Sequence, residues 1–98
     1  MENPRSPKPG GLASAFLVER YLPASAVETL ATSVAHVARL CAGQTGGTGV
    51  RYLQSIYVPA EDTCFCLFQA RSSDAVHAVN EAGHFALDRI TEAVLLIT

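Results

Sequence analysis

Apolar and polar positions change their period along this chain in an order that specifies a fold. The run Ala15-Phe16-Leu17-Val18-Glu19-Arg20-Tyr21-Leu22 reads as a strand and is closed by Pro23, which lacks the N–H that a ladder needs. Ser25 then stands where a helix N-cap belongs, with Glu28 three residues on in the capping-box arrangement. Val27, Leu30, Ala31, Val34, Val37, Ala38 and Cys41 recur at spacings of three and four, with Glu28, Thr29, Thr32, Ser33, His36 and Arg39 on the other side. That period predicts an amphipathic helix to about Ala42, stopped by Gly43. Val50 to Val58 and Thr63 to Ala70 are β-rich runs joined by Pro59-Ala60-Glu61-Asp62, which predicts a hairpin with a four-residue loop. Ser72 or Ser73 caps a second helix, Asp74 favours its positive end, Gly83 stops it, and Ile90 to Ile97 is the last strand.

The order βαββαβ is that of an α+β, ferredoxin-like sandwich: a four-stranded antiparallel sheet with two helices on one face. In the first strand Phe16 and Val18 oppose Leu17 and Tyr21, in the third Cys64, Cys66 and Phe68 oppose Phe65 and Leu67, and in the fourth Ile90, Val94 and Leu96 oppose Ala93, Leu95 and Ile97. Both faces are apolar, and two helices cover only one. A face that greasy exceeds what monomers expose, so the pattern predicts a homodimer packed sheet against sheet.

Composition supports that expectation. The 98-residue chain is 49% hydrophobic and 16% charged, apolar for so small a domain, and burial against a second copy would account for it. Seven Lys and Arg against nine Asp and Glu, with no basic run, argue against nucleic acid as a partner. No apolar run approaches the roughly 20 residues that span a bilayer, so a soluble protein without a membrane partner is expected. Residues 1–13, rich in Pro and Gly, are expected to be a disordered leader before one domain over 14–98. Three cysteines, an odd number, make no disulfide framework and point to the cytoplasm.

The candidate chemistry is sparse. The glycine-rich segment from Gly43 to Gly49 runs from helix into strand, the wrong order for a phosphate cradle, and reads as a connector. Cys64 and Cys66 flank Phe65 on one strand, so their sulfurs are expected on one face roughly 7 Å apart, which suits neither a disulfide nor a zinc-chelating turn. Buried small hydrophobes is the plain reading. Asp74, His77 and Glu81 share one helix stripe, with His84 just beyond Gly83, and imidazole with carboxylate suits nickel, zinc or copper; the alternative is a solvated face. Glu19 lies mid-strand on the face of Leu17, Tyr21, Phe65, Leu67 and Gln69, where an acid is costly unless paired or liganded. Ser55 or Tyr57 from the adjoining strand would reach it, making Glu19, Ser55, Tyr57 and Gln69 a candidate ligand pocket. No nucleophile–base pair, triad or organic-cofactor fingerprint stands out, so a non-enzymatic role is favoured over an enzyme.

The segments Phe16-Leu17-Val18-Glu19-Arg20, Arg51 to Val58, Asp62, Cys64 to Ala70, Ala82-Gly83 and Asp88-Arg89-Ile90-Thr91-Glu92 resemble a small actinobacterial domain-of-unknown-function family that includes a nickel-binding protein. The resemblance covers about residues 15 to 96. It implies a ferredoxin-like domain that dimerises in the manner of dimeric α/β barrels, and binding of nickel or a similar divalent ion. The chain departs from the family at Gln69, where an acidic residue is expected, and at His84-Phe85-Ala86, which replaces a Leu-Pro-type linker; the first weakens any site using that carboxylate and the second offers a new ligand. The alternative is a small-molecule protein or enzyme with its pocket between two sheets.

Overall fold

The computed structural model describes residues 12–43 and 49–96. Strand β1 (Leu12–Tyr21) leads through a 3-10 turn to helix α1 (Val27–Gly43), then β2 (Arg51–Val58), β3 (Thr63–Gln69), helix α2 (Ser73–Ala82) and β4 (Arg89–Leu96). All pairings are antiparallel, in the spatial order β2-β3-β1-β4, which is the ferredoxin-like α+β arrangement predicted. The expected leader, residues 1–13, lies outside the described residues except for Leu12 and Ala13, whose backbone already pairs with Leu96 and Leu95.

Local chemistry explains most boundaries. Ser72 is the N-cap of α2, its side chain accepting from the Ala75 amide at 3.2 Å. The β2–β3 loop closes as a 3-10 turn over Pro59–Glu61 with Asp62 in the left-handed region (φ 49°), where Asp is among the few tolerated residues. The expected Ser25 cap is not the one used. Ser25 lies inside the 3-10 turn Ala24–Ala26, whose N-cap is Pro23, because the chain leaves Pro23 extended and turns immediately. Gly83 ends α2 for a packing reason: a Cβ there would stand 2.9 Å from Val37 Cγ2 and 3.3 Å from Leu40 Cδ1, so the missing side chain lets α2 approach α1.

The core lies between the helices and one sheet face, and contains Phe16, Val18, Leu30, Val37, Cys64, Cys66, Phe68, Val76 and Val79. Val27 and Ala31, expected on the packed face of α1, are exposed, and Leu40 is packed there instead. The other face of the sheet carries Leu17, Phe65, Leu67, Val58 and Leu95, all partly exposed, and Ile56, 54% exposed. β4 is an edge strand, and its Val94 and Leu96 are also exposed. Among the described residues no helix is long and apolar enough to cross a membrane.

Candidate functional site

The α2 stripe and the loop after it form a cleft of about 450 Å³ lined by His77, Asn80, Glu81, His84, Phe85, Ala86 and Leu87. Three of the four predicted metal-ligating residues, His77, Glu81 and His84, therefore line one cleft; Asp74, a turn earlier on α2, is not part of the lining. His84 holds φ 54°, a left-handed conformation that β-carbon sterics disfavour. The reason is a division of labour at the helix end. Gly83 serves the close approach to α1, so the reversal falls on His84, whose amide bonds Glu81 O while the Phe85 amide bonds Asn80 O. His36 of α1 approaches the same end of α2, its Cδ2 lying 3.6 Å from where a Gly83 Cβ would be.

Beneath this cleft is a residue the sequence reading passed over. Arg20 is 2% exposed, although it carries a full charge. Its Nη1 donates to the carbonyl oxygens of Phe85 and Ala86, each at 3.2 Å, its Nη2 donates to Asn80 Oδ1 at 2.6 Å, and its guanidinium carbon sits 3.5 Å from the Phe85 ring centroid. Every one of those partners belongs to the cleft lining, so Arg20 is the post on which the cleft floor rests. Asn80, fully buried, is held in turn by its Nδ2 donating to Val76 O. The alternation Phe16, Val18, Arg20 was the available signal, since it assigns Arg20 to the core face.

The second candidate group does not assemble as expected. Glu19 and Gln69 lie on the helix-free face, and Glu19 is opposite Phe65 in the β1–β3 register. Ser55 and Tyr57 pair with Cys66 and Cys64 and so point to the opposite, helix-covered face. The sheet itself keeps them from Glu19, because a bulge between Tyr52 and Gln54 resets the alternation of β2. Tyr57 instead donates to Leu22 O at 3.1 Å, and desolvation, followed by the nearby Asp62 and Cys64, raises its pKa above the usual phenol value. Glu19, largely buried, accepts from Tyr21 Oη at 3.3 Å and has Arg89 Nε 3.7 Å away, so its cost is met locally.

The thiols also differ from expectation. Cys64 and Cys66 do share the buried face, but their sulfurs are 3.8 Å apart, not about 7 Å. The longer figure is the backbone repeat; the side chains lean together across it. Burial first, then the adjacent Cys66, pushes the Cys64 thiol up to about 12 in spite of the opposing influence of Arg20. Cys41 is partly exposed, and its pKa is raised by burial against a lowering hydrogen bond from the Tyr52 backbone.

The donors in the cleft, two imidazoles and a carboxylate, fit a borderline divalent ion such as nickel. Their positions fit less well: among the described residues no three His, Cys, Asp or Glu side chains are grouped closely enough to hold a metal ion. A cation there needs movement of these side chains or a ligand from elsewhere.

Comparison with known proteins narrows the family. No curated protein matches the chain. Among solved structures it is similar to SCO4226 from Streptomyces coelicolor A3(2), with a TM-score of 0.58 at 20% identity over 81% of this chain and 94% of that one, a likeness of fold. The family model described as nickel responsive protein SCO4226-like matches residues 16–93, which span β1 through most of β4. With that match over most of its length, the chain belongs to the SCO4226-like family of nickel-responsive proteins.

Proposed function

We propose that this protein is a non-enzymatic, metal-responsive homodimer that binds nickel or a similar divalent ion through His77, Glu81 and His84. The observation that carries the reading is that those three side chains line one cleft, with His84 kept there in a backbone conformation that costs free energy. The family description supports the choice of metal. The apolar helix-free face, with Ile56 more than half exposed beside Leu17, Phe65 and Leu67, supports the dimer. The incomplete coordination sphere is consistent with a ligand supplied by the second copy. When bound, the ion would tie the end of α2 to the following loop and stiffen a segment that otherwise rests on Arg20; binding would be coupled to stability by mass action. The reading also places the protein in the cytoplasm, which the three free cysteines favour.

Calorimetric titration of untagged, chelator-stripped protein with Ni(II) tests this. A saturable heat in the wild type that disappears in His77→Ala is expected, with Asp74→Ala unchanged. Saturation that survives removal of both His77 and His84 would place the metal elsewhere and end this assignment.

A further inference from the structure

Cys64 and Cys66 project from β3 into the core, each 1% exposed. Ser55 Oγ donates to Cys66 Sγ at 2.9 Å, and the Tyr52 hydroxyl is 2.8 Å from Ser55 Oγ. On the other side Arg20 stands directly across from Cys64 in the β1–β3 pair, so the two side chains are neighbours on one face. The Arg20 Nε is buried without a partner, and no carboxylate pairs with the guanidinium among the described residues. A buried cation without an anion is a charge awaiting compensation. Two thiols 3.8 Å apart beside it are the groups able to supply that anion.

We infer that Cys64 and Cys66 form a two-coordinate site for a monovalent thiophilic cation, of which Cu(I) is the probe, with Arg20 as the counter-ion of the complex. Soft thiolates select such ions. On loading, two S–H bonds break, two metal–sulfur bonds form and two protons leave; no electron is transferred. Two thiolates around an ion of charge +1 carry a net −1, which the Arg20 guanidinium neutralises. A divalent ion on the same pair would give a neutral complex and leave Arg20 uncompensated, so the charge balance selects the monovalent state. With metal–sulfur bonds of about 2.3 Å the sulfurs already bracket an ion at a bent angle, and a linear one needs them less than about 1 Å further apart. Entry is provided by a cleft of about 430 Å³ lined by Ala38, Cys41, Ala42, Val50, Arg51 and Tyr52. From that cleft, which Cys41 also lines, the hydrogen-bonded chain Tyr52, Ser55, Cys66 leads inward. This site shares no ligand with the histidine cleft, although its counter-ion, Arg20, also holds the floor of that cleft.

The test is an anaerobic titration of the reduced, untagged full chain with Cu(I) in competition with bicinchoninate. One equivalent per chain should be withdrawn from the chelator, with a thiolate-to-copper absorption in the near ultraviolet and release of two protons. Cys64→Ala and Cys66→Ala should each abolish retention, whereas Cys41→Ser and His77→Ala should leave the stoichiometry unchanged. Because a core substitution can unfold the chain, wild-type protein is also alkylated with iodoacetamide in mild denaturant. Cu(I) should then protect Cys64 and Cys66 and spare Cys41 no labelling. Failure of the wild type to withdraw copper, retention in the Cys64→Ala/Cys66→Ala double variant, or protection confined to Cys41 would each overturn the site.

Discussion

Replacing Asn80 by Ala isolates the energetic role of the buried Arg20. The Asn80 Oδ1 is the shortest acceptor that the guanidinium has, at 2.6 Å, and the residue is fully buried. A hydrogen bond to a charged group contributes about 1.5–3 kcal/mol, and the lost Nδ2 bond to Val76 O adds about 1 kcal/mol more. The cation is then left without its shortest acceptor. The expected loss is about 2–4 kcal/mol, a large share of the roughly 5–15 kcal/mol that holds a domain together. At about 4–8 °C per kcal/mol for a domain this small, the melting temperature should fall by at least about 8 °C. Arg20→Met deletes the charge but leaves Asn80 Oδ1 and the Phe85 and Ala86 carbonyls without their donor, so it should cost at least as much as Asn80→Ala. Urea denaturation at fixed protein concentration measures both, the slope reporting whether the unfolding reaction is unchanged. A loss below about 1 kcal/mol for either variant would refute the reasoning, since it would mean that the buried guanidinium and its acceptors do not depend on one another.

Further outcomes follow from the same structure. Gly83→Ala places a methyl 2.9 Å from the stiff, buried Val37 and should destabilise by about 1–3 kcal/mol, with Val37→Ala in the same chain recovering part of it in thermal melts. His84→Gly relieves the left-handed strain and should raise stability by up to about 1 kcal/mol while weakening Ni(II) binding, a separation that parallel melts and titrations read directly. Cys64 has its pKa raised from 9.0 to about 12 on folding, so the unfolded chain ionises first as pH rises. Stability should therefore be intact below about pH 9 and be lost progressively toward pH 12, with Cys64→Val showing a shallower alkaline decline in denaturant midpoints. Phe65→Glu, on the helix-free face, should yield a single-copy species by sedimentation; a persistent dimer would show that association uses another surface.

The candidate site was only partly legible in the sequence. Helical spacing is local information, so the sequence puts Asp74, His77 and Glu81 on one strip of α2; which of them faces the cleft beside His84, beyond the helix end, depends on the loop that follows. Arg20 was missed although its alternation with Phe16 and Val18 marks it as inward-facing. Its partners, Asn80, Phe85 and Ala86, are about sixty residues away, and nothing in a linear reading pairs an arginine with carbonyl groups so distant. Ser55 and Tyr57 lie on the side of the sheet opposite to the one plain alternation gives them, for a different reason. A bulge adds a residue without any marker in composition and inverts every later side chain of β2.

What the chain's own order of residues determined is the architecture. Periods of two and of three to four are properties of strand and helix geometry, so βαββαβ, the hairpin loop, a cap at Ser72 or Ser73 and the two apolar sheet faces could be read without coordinates. What only the tertiary structure decided is how side chains settle against one another: the 3.8 Å approach of Cys64 to Cys66, the burial of Arg20 with no carboxylate partner among the described residues, and the transfer of the chain reversal from Gly83 to His84. Those outcomes depend on side-chain torsions and on how closely two helices can approach, quantities set by packing in three dimensions and not by spacing along the backbone.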